Sequence, residues 1–186
     1  MAMPGFITAL DTSSSNITQV AQDMATWVDL CGGWDHTNQV GLRMRAGADN
    51  PSRDACGLLT DRHTGRVLGV EADFTEWCPG LPQGLIDLLS ALELDQGITL
   101  GRARFMRCPS KAGLTMHADP SQRFHLAVET NPNAIMGECF RDREYRCVGY
   151  HIPGDGRWYR VDTRREHFIY NGGWEPRIHL VACARD

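Results

Sequence analysis

Two histidines and an aspartate in the C-terminal half of the sequence have the residue types and spacing of a metal site. His117 and Asp119 are separated by one residue, and His167 follows much later. In a strand, residues i and i+2 project to the same side, so the imidazole of His117 and the carboxylate of Asp119 would face a common point. With His167 from a neighbouring strand they would form a 2-His-1-carboxylate face, which is typical of non-haem Fe(II) oxygenases and leaves coordination positions open.

An arginine downstream of His167 supports the same chemistry. Arg177 lies ten positions after His167, and the intervening Asn171-Gly172-Gly173 allows a tight turn between paired antiparallel strands. Fe(II) oxygen chemistry needs a two-electron co-reductant, and 2-oxoglutarate serves by chelating iron and losing carbon dioxide. The planar, always charged guanidinium of Arg177 would pair with the distal carboxylate of that co-substrate.

A second cationic cluster lies at the start of the segment Arg123-Phe124-His125-Leu126. Strand alternation separates the apolar residues of this segment from Arg123 and His125. These two side chains would therefore face one polar cavity, where they would orient the iron-chelating end of 2-oxoglutarate. An exposed edge-strand face is the alternative interpretation of the same pattern.

Other polar residues leave alternatives open. His151 is the main alternative to His167 as a metal ligand, although it precedes a Pro-Gly-Asp-Gly turn and no arginine follows it at the corresponding spacing. His179 lies two residues after Arg177 and would share its face. The sequence does not show whether His179 contacts the co-substrate directly or forms a hydrogen bond to a residue that does. It also does not show whether Asn171 contacts the co-substrate.

The hydropathy pattern predicts two helices and many strands. Apolar residues at helical spacing predict a helix over residues 16–31, and a leucine stripe predicts a second helix over 82–94. Alternation and turn residues predict strands over 39–44, 57–60, 66–74, 98–107, 122–130, 134–140, 145–152, 157–162, 167–170 and 177–182. Many short strands with regular turns favour a sandwich or barrel, here braced by two helices.

Length and composition narrow the class of protein. The 186 residues carry 19 Lys and Arg against 23 Asp and Glu, a net charge of −4, which disfavours nucleic acid as a partner. We expect one domain over residues 1–186, with helices and supporting strands in 1–97 and core strands in 98–186. No apolar run reaches membrane-spanning length, no secretory signal is recognisable, and the seven widely spaced cysteines fit reduced thiols, so a cytoplasmic protein is expected.

The segment from Arg104 to Asp186 resembles the aspartyl/asparaginyl β-hydroxylase family of Fe(II)- and 2-oxoglutarate-dependent dioxygenases. The matching features, in order, are Phe105, Pro109 and His117, then Arg123-x-His125-Leu126, then Asp162 and His167, then Arg177 with apolar residues after it. The resemblance implies a mainly β protein with a double-stranded β-helix, a jelly-roll or cupin-like fold, and N-terminal and inserted supporting helices. It also implies Fe(II) at His117 and His167, 2-oxoglutarate at Arg123, His125 and Arg177, and O2 as the third reactant.

Two features depart from the family pattern. Members that act on secreted domains can have glycine two residues after the first histidine, where this sequence keeps Asp119, and the gap from His117 to Arg123 is shorter. The complete triad is similar to that of small-molecule amino-acid hydroxylases. We therefore expect hydroxylation of an amino-acid side chain, in a peptide or protein by the resemblance, or in a free amino acid by the triad. A nucleobase ranks third, and the non-enzymatic alternative is a jelly-roll module that binds a metal or a small acid.

Overall fold

The structure, a computed structural model, describes residues 5–12, 14–61, 63–141 and 144–185. The described chain forms two compact units, one within residues 1–17 and 107–180 and the other within 18–106 and 181–186. Both boundaries in the second half of the chain fall inside strands, between residues 106 and 107 and between 180 and 181.

The first unit consists of two β-sheets. Its strands are β1 (Ile7–Ala9), β6 (Ala112–His117), β7 (Arg123–Glu129), β8 (Ala134–Arg141), β9 (Tyr145–Tyr150), β10 (Trp158–Val161), β11 (His167–Asn171) and the adjoining ends of β5 (Leu100–Cys108) and β12 (Arg177–Ala184). One sheet has the order β1-β10-β7-β12 and the other β6-β11-β8-β9. Between β6 and β12 the chain changes sheet at every connection except β8 to β9. This connectivity is the predicted double-stranded β-helix, or jelly roll.

The core of the first unit lies between the two sheets. Its buried apolar residues include Phe6 before β1, Ala127 on β7, Met136 on β8 and Ile169 on β11. Along β11 buried and more exposed residues alternate. His167 therefore points to the same inner side as Ile169, and the strand carries a polar side chain into the space between the sheets.

The second unit contains the helices. They are α1 (Ile17–Leu30), whose first residue lies in the other unit, α2 (Pro51–Asp54) and α3 (Gln83–Gln96), accompanied by β2 (Gln39–Gly41), β3 (Arg43–Arg45) and β4 (Phe74–Trp77). β2 pairs with β5, and β3 pairs with β4. The predicted stripes are buried as expected: Val20, Met24 and Trp27 on α1, and Leu85, Leu89 and Leu92 on α3. Among the described residues, no helix is long and apolar enough to span a membrane.

The strand predicted over residues 66–74 is wrong. The segment contains one isolated bridge, Thr60 to Val67, and a short 3-10 helix at Glu71–Asp73 before β4 begins. Its apolar residues Val67 and Val70 are 64% and 53% exposed, so their alternation is not matched by a buried face. The strand predicted over 57–60 is likewise reduced to that bridge, and 39–44 is divided between β2 and β3.

Among the described residues, β1, α2 and β6 were not predicted, and only Phe74 of β4 fell within a predicted strand. β6 is an edge strand of its sheet, and its four central residues are exposed. A strand that presents most of its side chains to solvent lacks the alternation by which strands are recognised in sequence. The omission matters because β6 ends at His117.

Candidate metal and anion site

The structure brings the three predicted metal ligands together in the first unit. One ligand atom from each of His117, Asp119 and His167 lies within 4.8 Å of the other two. β6 and β11 are antiparallel neighbours in which His117 is directly opposite His167, and the two ring centroids are 4.3 Å apart. Asp119 follows β6, where its backbone N–H donates to the carbonyl of Thr163 at 2.8 Å. Its Oδ2 lies 3.6 Å from Nε2 of His167.

Backbone carbonyls orient both imidazoles. Nδ1 of His117 lies 2.7 Å from the carbonyl oxygen of Thr115, and Nδ1 of His167 lies 2.9 Å from that of Arg165. An Nδ1–H that donates to a carbonyl leaves Nε2 of a neutral imidazole with its lone pair available to a metal. Burial lowers the pKa of His167, partly offset by its hydrogen bond to Arg165, so the ring is held in the neutral form that a metal requires.

The two oxygens of Asp119 have different environments. Nη2 of Arg123 donates to Oδ1 at 2.7 Å, and the two side chains are only 12% and 11% exposed. Oδ2 is buried and accepts no hydrogen bond from the described residues. Buried carboxylate oxygens rarely stay unsatisfied. An oxygen that faces the imidazole of His167 and has no donor in the described part of the chain fits a divalent cation bound by these three side chains.

A second polar cluster is formed by β7 and β12, which are neighbours in their sheet. Nη2 of Arg177 lies 2.9 Å from Nδ1 of His179, which in turn is 3.4 Å from Nδ1 of His125. Because a guanidinium only donates, Nδ1 of His179 accepts and its Nε2 carries the hydrogen. This Nε2–H is buried and has no acceptor among the described residues. We call Arg177, His179 and His125 the basic cluster.

The guanidinium of Arg177 has no counter-ion among the residues that the structure describes. Within residues 5–12, 14–61, 63–141 and 144–185, Arg177 has no carboxylate at ion-pair distance. Burial lowers the pKa of Arg177 to about 10, so the guanidinium remains protonated at neutral pH. Burial, followed by the charge of Arg177, also keeps the pKa of His179 well below its usual range. A buried cation without a partner is costly, and an anionic ligand would remove that cost.

Glu138 is a site residue that the sequence analysis missed. It lies on β8 directly opposite His167, so its side chain is on the inner face next to the ligand. Nη1 of Arg165 donates to its Oε1 at 2.7 Å, and the hydroxyl of Tyr150 donates to its Oε2 at 3.4 Å. Since the carbonyl of Arg165 binds His167, this ion pair anchors the residue that orients the imidazole. The available signal was an acidic residue among the apolar residues of the strand predicted over 134–140.

The alternatives left open by the sequence have other roles in the structure. His151 lies with its Nδ1 3.0 Å from the carbonyl of Ala134 and is outside the group of three ligand residues. Asn171 uses its amide to donate to the carbonyls of Cys108, Pro109 and Glu175, which holds the end of β11. Arg123 and His125 share a face of β7 as predicted, but Arg123 contacts Asp119 whereas His125 belongs to the basic cluster.

Comparisons with known proteins establish the fold. No family model matches the sequence, and no curated protein matches it. The carbocyclase SnoK from nogalamycin biosynthesis, described as non-haem and α-ketoglutarate-dependent, aligns at 12% identity over 96% of this chain and 79% of its own, with a TM-score of 0.54. AviO1 from Streptomyces viridochromogenes aligns at 13% identity over 97% of this chain and 89% of its own, also with a TM-score of 0.54.

A shorter alignment covers 59% of this chain and 59% of an oxidoreductase of the 2OG-Fe(II) oxygenase family from Burkholderia pseudomallei, at 14% identity and a TM-score of 0.45. The chain therefore spans about three fifths of that structure's length. At these identities the two longer alignments show a shared fold, and they agree with the jelly-roll connectivity of the strands.

Proposed function

We propose that this protein is an Fe(II)- and 2-oxoglutarate-dependent dioxygenase that hydroxylates an amino-acid side chain. The observation that carries the proposal is the buried cation of Arg177, which has no carboxylate at ion-pair distance among the described residues. Arg177 lies on β12 next to β7, and Arg123 of β7 binds the candidate ligand Asp119. A metal face alone, or a buried arginine alone, would suit many ligands. A metal face and a buried anion-binding arginine within one unit suit a chelating dicarboxylate.

In this proposal His117, Asp119 and His167 hold Fe(II). Their ligand atoms already converge, the carbonyls behind both imidazoles set the tautomer, and Oδ2 of Asp119 has no competing donor among the described residues. Arg123 holds the other oxygen of Asp119 and so fixes the carboxylate. When bound, iron and 2-oxoglutarate supply the oxidising power, and the products are succinate, carbon dioxide and a hydroxylated substrate.

The basic cluster is proposed to bind the distal carboxylate of 2-oxoglutarate. Arg123 touches Asp119, and His125, two residues further along β7, touches the basic cluster. Two residues of a strand span about 7 Å, a distance suited to a five-carbon dicarboxylate with one end at the metal. The guanidinium of Arg177 would supply charge, and Nε2–H of His179 would supply a further donor.

The substrate is proposed to be an amino-acid side chain in a peptide or protein, as in the aspartyl/asparaginyl β-hydroxylase family that the sequence resembles. The complete triad with Asp119 supports a free amino acid as the second candidate. Neither candidate requires a broad basic surface, in keeping with the net charge of −4. A non-catalytic module that binds a metal and an acid is the alternative.

The proposal is tested by measuring succinate formed from 2-oxoglutarate with Fe(II) under air. We expect slow decarboxylation that is stimulated by one set of additions, either peptides bearing Asp and Asn or free amino acids, and none in a His117→Ala variant. Metal and 2-oxoglutarate binding without decarboxylation under any addition would instead establish the binding module. Equal succinate production by His117→Ala would show that the metal assignment is wrong.

A further inference from the structure

Two cysteines face each other across neighbouring strands of the β6-β11-β8-β9 sheet. Cys139 on β8 and Cys147 on β9 are directly paired, and their sulfur atoms are 2.8 Å apart. Alternation along β8 places Cys139 on the opposite side of the sheet from Glu138, so the sulfurs lie on the outer face. The pair is therefore separate from the proposed iron site.

The backbone geometry of this pair suits a disulfide. The N–H of Cys139 donates to the carbonyl of Glu166, on the side of β8 that faces β11. Cys139 and Cys147 thus form a non-hydrogen-bonded pair of β8 and β9, in which the Cα atoms approach to about 4.5 Å. Disulfides span Cα separations of about 4.4–6.8 Å. A bond between these sulfurs requires no change of register.

The two thiols differ in their access to solvent. Cys147 is exposed, whereas Cys139 is only 7% exposed. Both border an outer-face cavity of about 440 Å³, whose other lining residues include Leu114, Met116, Phe168 and Tyr170. A small neutral oxidant can reach the sulfur of Cys147 in this cavity. The sulfur of Cys139 already contacts that of Cys147.

The remaining cysteines are less suited to oxidation. Burial raises the pKa of Cys31 and Cys108, and it raises the pKa of Cys56 to about 11 and that of Cys78 to about 12. Because the thiolate is the reactive form, these groups react slowly at neutral pH. Cys183 is buried. Oxidation should therefore be selective for Cys139 and Cys147, because Cys147 is exposed and its sulfur contacts that of Cys139.

We propose that Cys139 and Cys147 form an oxidisable dithiol that a peroxide converts to a cross-strand disulfide. The thiolate of Cys147 attacks a peroxide oxygen, the O–O bond breaks, and a sulfenic acid forms with release of hydroxide. The thiol of Cys139 then attacks the sulfenic sulfur, the S–S bond forms, and the oxygen leaves as water. Overall, two thiols lose two electrons and two protons, and one hydrogen peroxide becomes two waters.

The test is to treat the reduced, folded protein with hydrogen peroxide, remove the oxidant with catalase and alkylate all thiols under denaturing conditions. We expect two fewer alkylated cysteines than in the untreated protein and a peptide map that joins Cys139 to Cys147. Alkylation of all seven cysteines, a sulfinic acid at Cys147 without a crosslink, or a crosslink between other cysteines would overturn the proposal.

Serine variants separate the two steps. In Cys139→Ser the resolving thiol is absent, so a 1,3-dione probe should label a persistent sulfenic acid at Cys147. Cys147→Ser should give neither the crosslink nor the label. Cys31→Ser is the matched control, since Cys31 is partly exposed but lies in the other unit, and it should form the crosslink as the wild type does. Loss of the crosslink in Cys31→Ser, or no label in Cys139→Ser, would contradict the mechanism.

Discussion

At the scale of single residues, the environment of Arg177 differs from that of two other buried arginines, Arg102 and Arg123. Arg102 lies 3.6 Å from Glu71, and Arg123 lies 2.7 Å from Asp119, so each has a carboxylate. Arg177 is equally buried and has a neutral histidine instead. A protein gains no stability from such a charge. The buried charge of Arg177 is explained if the carboxylate that pairs with it belongs to a ligand.

Replacing Arg177 by methionine tests that explanation. We expect Arg177→Met to weaken 2-oxoglutarate binding by about 30-fold or more, because a buried charge pair loses one partner, which costs about 2 kcal/mol or more. We also expect an unchanged or higher thermal midpoint, since an uncompensated buried charge is removed. Calorimetric titration and thermal unfolding measure the two effects. Arg157→Ala, which removes an exposed arginine paired with Asp155, is the control and should change neither. Undiminished binding in Arg177→Met would place the co-substrate elsewhere.

Substitution of single histidines distinguishes the proposed ligand from its rival. His167→Ala removes the ligand to which His151 is the alternative, and it should weaken Co(II) binding by more than about 100-fold. Even residues that only hydrogen-bond to a metal ligand commonly contribute about 10- to 100-fold to the affinity. His151→Ala should retain the affinity, because His151 lies outside the converging group. Anaerobic Co(II) titration followed by visible absorption measures both. Equal losses in the two variants would show that the ligand set is wrong.

At the scale of elements, the metal face depends on how closely β6 approaches β11. A Cβ at Gly113 of β6 would lie 2.5 Å from the carbonyl oxygen of Ile169 on β11. Backbone cannot give way as a flexible side chain can, so any larger residue must push the strands apart. The same pairing places His117 opposite His167. Glycine at this position therefore supports the ligand geometry as well as the sheet.

Gly113→Ala should consequently lower both stability and metal affinity. We expect a loss of about 1–3 kcal/mol, typical of overpacking, and a weaker Co(II) affinity as the two histidines separate. Urea unfolding of the apo-protein and Co(II) titration provide the measurements. The control is Gly154→Ala, whose Cβ would make only an ordinary contact at 3.5 Å with Thr130. An unaltered Co(II) affinity in Gly113→Ala would show that the strand spacing does not set the site.

The elements also show what sequence patterns can and cannot predict. Helices α1 and α3 and the strand that carries His167 have regular buried faces, so their periodicity identified them. The strands that carry Arg123 and Arg177 are buried along nearly their whole length, but apolar residues at alternate positions still predicted them. β6 is an exposed edge strand, and Glu138 gains its significance from pairing with His167 rather than from any motif. Contacts of this kind depend on register between distant segments, which local patterns do not encode. The sequence analysis named all three residues of the basic cluster, but it grouped His125 with Arg123, whereas the structure places His125 beside His179.

At the scale of the whole molecule, buried neutral histidine makes stability depend on pH. The pKa of His179 is lowered in the folded state, chiefly by burial, whereas in the unfolded chain it returns to about 6.5. Below that pH the unfolded state binds a proton that the folded state does not, so the free energy of unfolding falls as the pH falls. The carboxyl groups with lowered pKa, such as Asp155 and Asp162, act only in a more acidic range.

Between pH 6.5 and 5.0, His179 alone should reduce the free energy of unfolding by up to about 1.4 kcal/mol per pH unit. Urea unfolding of the metal-free protein at several pH values measures this slope. In His179→Gln the slope should decrease by that amount, because glutamine does not titrate. His63→Gln serves as the control, since His63 is exposed, and it should retain the wild-type slope. Identical slopes in His179→Gln and the wild type would contradict the proposed state of the basic cluster.

The central claim, that one metal face and one basic cluster hold Fe(II) and 2-oxoglutarate together, is tested most directly by anaerobic titration of the protein with both. Chelation of Fe(II) by 2-oxoglutarate should produce a weak visible metal-to-ligand charge-transfer band that saturates with one iron per chain. The band should be absent in His117→Ala and should need much more 2-oxoglutarate in Arg177→Met. No band in the wild-type protein at saturating Fe(II) and 2-oxoglutarate would contradict the dioxygenase assignment.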